Sequence, residues 1–116
     1  MEFEELQEKV LSWADSHDLL HEENADKQFM KFIEEVFEFK TEMDSQGSRW
    51  DNGDNYFDII EDLMLEMGDV FVTLIILCKQ LGIKPMECLE LAYKKIKDRK
   101  GKTIDGCFVK AEDLHD

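Results

Sequence analysis

A single proline, Pro85, interrupts this chain of 116 residues, and almost nowhere do apolar and polar residues alternate with the period of two that a half-buried strand requires. Apolar residues instead recur at three- to four-residue intervals, as in Phe3, Leu6, Val10 and Trp13, the spacing of one helical face. The expected fold class is therefore all-α. Helix one is expected from about Glu2 to Ser16, followed by a polar segment with His17 and His21. Asn24 or Asp26 suits the cap of helix two, because a short side-chain oxygen accepts a hydrogen bond from the free amides of a first turn. That helix is expected to reach about Ser45. The turn-forming residues of Gly47-Ser48-Arg49-Trp50-Asp51-Asn52-Gly53 read as a loop.

Helix three is expected from near Asp54 to Leu81, with Gly82 as a left-handed stop. Pro85 is tolerated in the first turn of helix four, whose apolar stripe is Met86, Leu89, Ala92, Tyr93 and Ile96, ending by Gly101. In the tail, Thr103, Ile104, Cys107, Phe108 and Val109 flank Gly106 and suit a short extended arm or hairpin. The whole is expected to be one domain, residues 1–116, a bundle of four to five helices with that arm at its C-terminus.

Within this helical pattern two acidic pairs share a three-residue offset: Glu35 with Glu38, and Glu66 with Asp69. Residues three apart lie on one helix face, so two packed helices would converge four carboxylates on one spot. Acids make up about a quarter of the chain, 28 of 116 residues, and such pairs arise by chance on solvated faces. These two differ in their neighbours. Phe29, Phe32, Ile33, Val36, Phe37 and Phe39 surround the first pair, and the second leads directly into the apolar run Val70 to Cys78. Acids so interleaved with large apolar groups resist full solvation, and burying them without a cation costs several kcal/mol per charge. An all-oxygen donor set favours Mg2+ or Mn2+ over Zn2+. Gly68, inside the second pair, costs about 1 kcal/mol relative to alanine in a helix, which implies a close helix contact, a ligand near the backbone, or a surface position where the residue is merely tolerated.

The net charge of −14 argues against nucleic acid or an anionic membrane as a partner, since both need a basic footprint. Lys94, Lys95, Lys97, Arg99, Lys100 and Lys102 nevertheless crowd together, opposed only by Asp98, and can hold a small phosphorylated ligand; a solvated helix end is the plainer role for each. Lys31, four residues before Glu35, is placed to steady that acid. Cys78, Cys88 and Cys107 are odd in number and show no CxxC pattern, as suits reduced cytoplasmic thiols. Acids occupy the N-terminus where an export signal needs a basic region. The run from Val70 to Cys78 is too short to span a bilayer and is expected to be a buried core helix, as Trp13 is expected to be core.

The run Lys31-Phe32-Ile33-Glu34-Glu35-Val36-Phe37-Glu38, of the form K-x-x-E-E-x-x-E, and Glu66-Met67-Gly68-Asp69, of the form E-x-x-D, resemble the signature of the MazG-like all-α nucleoside triphosphate pyrophosphohydrolases, in particular their short single-domain members. The resemblance extends to Lys95, Arg99, Gly101 and the segment from Asp105 to Lys110, and is loose only in helix one. It implies a helical bundle that forms a homodimer or homotetramer, and Mg2+-dependent cleavage between the α- and β-phosphates of a nucleoside triphosphate, giving a nucleoside monophosphate and pyrophosphate in nucleotide-pool house-cleaning. It assigns metal binding to Glu35, Glu38, Glu66 and Asp69. Glu34 becomes either a water-orienting acid or a group supporting the ligands, since consecutive helix positions point about 100° apart. The candidate catalytic acids are thus Glu34, Glu35 and Glu38, and the candidate substrate-binding cations are Lys31, Lys95, Arg99 and Lys102.

The loop expected between helices two and three is longer than in the shortest members of that family, and brings Trp50 and Tyr56, which either stack on a base or anchor the loop. A di-iron carboxylate bundle needs Glu-x-x-His on two helices, and only Glu112 with His115 offers it. The rival reading is a catalytically idle helical protein that binds a metal or nucleotide. The apolar breadth of helix three and the Phe-rich helix two favour a homo-oligomer.

Overall fold

A computed structural model describes residues 1–114. Four α-helices form among them, α1 (Phe3–Ser16), α2 (Ala25–Asp51), α3 (Tyr56–Gln80) and α4 (Pro85–Ile96), followed by strands β1 (Gly101–Ile104) and β2 (Cys107–Lys110). The architecture is the expected all-α one, with the arm folded as a hairpin. Short 3-10 turns cover Glu22–Asn24 and Ala111–Asp113, and Glu112 lies in the second of these while His115 is outside the described residues. The chain divides into two units, Met1–Lys84 and the part from Pro85 onward.

In the first unit α2 packs along α3, and α1 packs against α3. The α2–α3 pair is antiparallel: Gln28 near the start of α2 donates from Nε2 to the Thr73 carbonyl at 3.3 Å, whereas Arg49 near its end reaches Asp62 at 2.8 Å. The buried apolar set is Ala14, Ile59, Ile75, Ile76 and Cys78. Much of the expected core run thus lies inside, although Phe71 remains exposed. Gln80 is buried and ties the chain before α2 to the end of α3, its Nε2 donating to the Leu19 carbonyl at 2.8 Å. Trp13, expected in the core, is 51% exposed; α1 has one packing partner of any extent and buries Ala14 against it, leaving the indole to lie 4.6 Å from the His17 ring.

The loop expected at Gly47–Gly53 is largely helix. Arg49 explains the extension, because its guanidinium bonds Glu42 at 2.8 Å, seven residues back on α2, and Asp54 at 2.9 Å beyond the helix end. Ser45 and Ser48 donate to the carbonyls three residues before them, so the turn-forming hydroxyls serve the helix itself. The real turn is short, with Gly53 at φ 85° and Asn55 accepting from the Phe57 amide at 2.7 Å as the cap of α3. Trp50 and Tyr56 flank it as an edge-to-face pair with centroids 6.5 Å apart, both exposed. Neither Asn24 nor Asp26 caps α2 by its side chain; the chain enters α2 directly from the preceding 3-10 turn, Asn24 donating to the His21 carbonyl and Ala25 to that of Glu22. Gly82 stops α3 in the left-handed region, at φ 73°.

In the second unit Pro85 opens α4, and β1 and β2 pair antiparallel with Gly101 opposite Lys110 and Lys102 opposite Val109. Asp105 and Gly106 form the two-residue turn with φ 51° and 80°, the twist that antiparallel strands favour. A Cβ at Gly101 would run into the Val109 carbonyl and the Phe108 ring, so the strand can begin there only with glycine. Beyond it, the Ala111 amide donates to the Lys100 carbonyl at 2.7 Å.

If Arg49 holds the last turns of α2, Arg49→Ala should leave Glu42, Asp54 and Asp62 uncompensated, lower the melting temperature and speed amide exchange over residues 46–51 relative to α3. Equal exchange in both proteins would show that the turns are helical without the clamp.

Candidate metal centre

Glu35 sits in a row of α2 residues spaced by seven, Gln28, Glu35, Glu42 and Arg49, none of them fully exposed. Its counterpart on α3 is Ile59, Glu66, Thr73 and Gln80, likewise all at least half-buried. Positions seven apart return to nearly the same helix face, and the Gln28–Thr73 bond and the Arg49–Asp62 pair fix which faces meet. One row on each of the two long helices is therefore mostly polar, and Glu35 and Glu66 stand in the middle of it.

There, one carboxylate oxygen each from Glu35, Glu38 and Glu66 lie within 4.8 Å of one another. Glu35 is only 8% exposed. Its Oε1 receives Lys31 Nζ at 3.3 Å, while its Oε2 and the Oε2 of Glu66 are buried without a hydrogen-bond partner. A buried anionic oxygen with no donor carries its full desolvation cost. The surroundings resist ionisation accordingly. The Glu35 carboxyl, more than the further Glu66, holds Glu38 above the ordinary carboxylate range; burial, then the charges of Asp69 and Glu35, raises Glu66. The same negative charge favours the charged form of Lys31, whose ammonium is also raised, by Glu35 first and then by Glu34. Three acidic oxygens converging from two helices, two of the carboxylates each with a donorless buried oxygen, fit a hard divalent cation.

Asp69 is exposed and lies outside this set of oxygens, although its charge reaches Glu66; its side chain is one methylene shorter than glutamate. Glu34 is exposed and points to Lys31 at 3.5 Å, as the 100° offset from Glu35 requires. Gly68 meets no neighbour where a Cβ would stand, so close helix packing does not account for it. Lys95, Arg99 and Lys102 belong to the second unit. Lys95 and Arg99 line one cavity there; Lys102, beside Gly101 on β1, points to the other face of the hairpin. The seven-residue row through Gln28, Glu42 and Arg49 went unread in the sequence, and its signal was there in the spacing.

No family model, curated protein or solved structure matches the chain.

With Glu38 and Glu66 raised, the folded protein holds these protons more tightly than the unfolded chain. Metal-free stability should therefore be greatest below the ordinary carboxylate range and decline as pH rises through the raised values. Melting in EDTA across that range should show the decline, Mg2+ should abolish it, and Glu38→Gln should raise the metal-free melting temperature near neutrality while shrinking the gain from Mg2+. Identical melts with and without Mg2+ at neutral pH would remove the site.

Proposed function

We propose that the chain is a Mg2+-dependent nucleoside triphosphate pyrophosphohydrolase, with Mn2+ able to substitute, acting on the α–β phosphate bond in nucleotide-pool house-cleaning. The observation that carries this reading is the convergence of Glu35, Glu38 and Glu66 with donorless buried oxygens on Glu35 and Glu66. Asp69, next along α3 and electrostatically coupled to Glu66, joins them as the proposed fourth ligand. Bound there, a divalent ion would neutralise phosphate charge and lower the pKa of water. Water's oxygen adds to phosphorus as the anhydride bond breaks, and Glu34, exposed and paired with Lys31, is the acid proposed to orient it. The motif resemblance supports the same chemistry.

The test is pyrophosphate release from a panel of nucleoside triphosphates with and without Mg2+. Release is expected only with the ion, and Glu38→Gln or Asp69→Asn should lower turnover at least about a hundredfold, the scale of a lost electrostatic contact. Undiminished turnover in excess EDTA would overturn the reading; metal-induced stabilisation with no release from any nucleotide would leave the idle binding protein instead.

Phe29 and Phe37 on α2, and Leu65 and Phe71 on α3, are exposed, more large apolar surface than a lone helical pair ordinarily leaves in water. The protein is accordingly proposed to act as a homodimer or homotetramer. Sedimentation at micromolar concentration should report one of these, and a fully active monomer would refute the assembly.

A further inference from the structure

From Asp15 to Asp26 the chain carries five acids, Asp15, Asp18, Glu22, Glu23 and Asp26, and neither lysine nor arginine. The groups in that stretch able to carry positive charge are His17 and His21, and a histidine gains or loses its charge near neutrality. The stretch contains the connection between α1 and α2, which is closely hydrogen-bonded. The Leu19 amide donates to the Ala14 carbonyl, the His21 amide to the Leu19 carbonyl and the Asn24 amide to the His21 carbonyl, each at 3.0 Å. Asp18 turns the chain in the left-handed region, at φ 59°, which aspartate tolerates better than most residues. From α3 the buried Gln80 holds the same connection through the Leu19 carbonyl.

The His21 ring stands between two carboxylates. Its Nε2 meets Asp18 Oδ1 at 2.5 Å, and its Nδ1 faces Glu23 Oε1 at 3.9 Å. A neutral imidazole donates from one nitrogen and presents a lone pair at the other, whereas an imidazolium donates from both. With an anion at each nitrogen, one of the two confronts a lone pair unless the ring is charged. Asp18 first, then Glu23 and Asp15, accordingly raise His21 above the ordinary histidine value, against the cost of taking the charge partly out of water. α3 reaches the connection with Gln80, which is uncharged, and α2 begins with Asp26 and Lys27, the latter lining a cavity beside Leu19 and Gln80. His17 differs: its Nδ1 lies 2.8 Å from the Trp13 carbonyl and 3.1 Å from Ser16 Oγ, and among the described residues no carboxylate is within ion-pair distance of it.

We propose that His21 is a pH-operated clasp on the α1–α2 connection: as the imidazolium it joins Asp18 to Glu23 and holds the turn, and without its proton it leaves the surrounding acids uncompensated and loosens the end of α1 and the start of α2. Because folding raises His21, this contribution is fully present below the ordinary histidine value and is lost as pH rises through the raised one. The clasp requires neither the acidic centre nor the proposed hydrolysis.

The experiment is an NMR titration of the full chain that follows the His21 ring nitrogens together with the exchange protection of the Leu19, His21 and Asn24 amides. Local readouts are needed because Glu38 and Glu66 also make global stability depend on pH. His21 should titrate above the ordinary histidine value, with both ring nitrogens protonated below it. Protection of the three amides should fall several-fold as that proton is lost, while the amides of Ile75 and Ile76, buried on α3, keep theirs. Asp18→Asn retains a side chain suited to the left-handed region; it should return His21 toward the ordinary value and abolish the fall in protection, with Ile75 and Ile76 still protected as evidence of an intact fold. Glu23→Gln should have the same effect in smaller measure, and His17→Gln should leave the His21 titration in place. Titration of His21 at the ordinary value, or protection that stays constant across its titration, would overturn the clasp. So would a fall in protection that survives Asp18→Asn at an unchanged pH.

Discussion

Two long helices meet along a seam whose polar row carries several acids, and the turn end and the middle of that row meet the resulting repulsion differently. Toward the α2–α3 turn, Arg49 supplies the cation from within, bridging Glu42, Asp54 and Asp62. In the middle, Lys31 reaches one oxygen of Glu35, and the other oxygen of Glu35 and one of Glu66 are left without donors. The chain thus balances its charge internally at one point and leaves it open one row further along. An apolar seam would tolerate sliding of one helix past the other by a turn. This one would not, because a slip would separate Arg49 from its three carboxylates and Gln28 from the Thr73 carbonyl, which is the register-setting use of buried polar groups.

The long periodic segments were readable from the sequence because helical spacing is local information. α1 and α3 begin and end within two residues of where their apolar stripes and stop signals put them, Gly82 included, and α4 opens at Pro85 as expected and ends at Ile96, ahead of Gly101. The end of α2 was not readable in the same way. Gly47, Ser45 and Ser48 carry turn propensity, but Arg49 overrides it through partners on α2, in the turn and on α3, and such long-range pairing leaves no mark on local composition. The acidic pairs were visible as i,i+3 spacings, and Glu35, Glu38 and Glu66 do converge. What spacing could not give is the reach of each side chain, which leaves Asp69 outside the cluster, or the burial that separates Glu35 from its exposed neighbour Glu34.

The basic stretch shows the same division. Charge density along the sequence drew attention to Lys95, Arg99 and Lys102 alike, yet strand alternation turns Lys102 away and pairing brings in Lys110 from the far side of the hairpin. Gly101 is the hinge of that outcome. Its missing side chain lets β1 begin against the Val109 carbonyl, and the pairing that follows fixes which lysines share a face.

The polar seam also dictates an order of events during folding. Arg49 and Asp62 are joined across the shortest stretch of chain, Glu35 and Glu66 across a longer one, and Gln28 and Thr73 across the longest. Because closing a short loop forfeits less chain entropy, the helical hairpin should zip from the turn outward, with the Arg49 cluster in the nucleus and the acidic centre forming late. Changes at Arg49 would then act on the folding rate, and changes at the acids on the rate of unfolding, so the acidic part of the seam can vary with little effect on how quickly the chain reaches its fold.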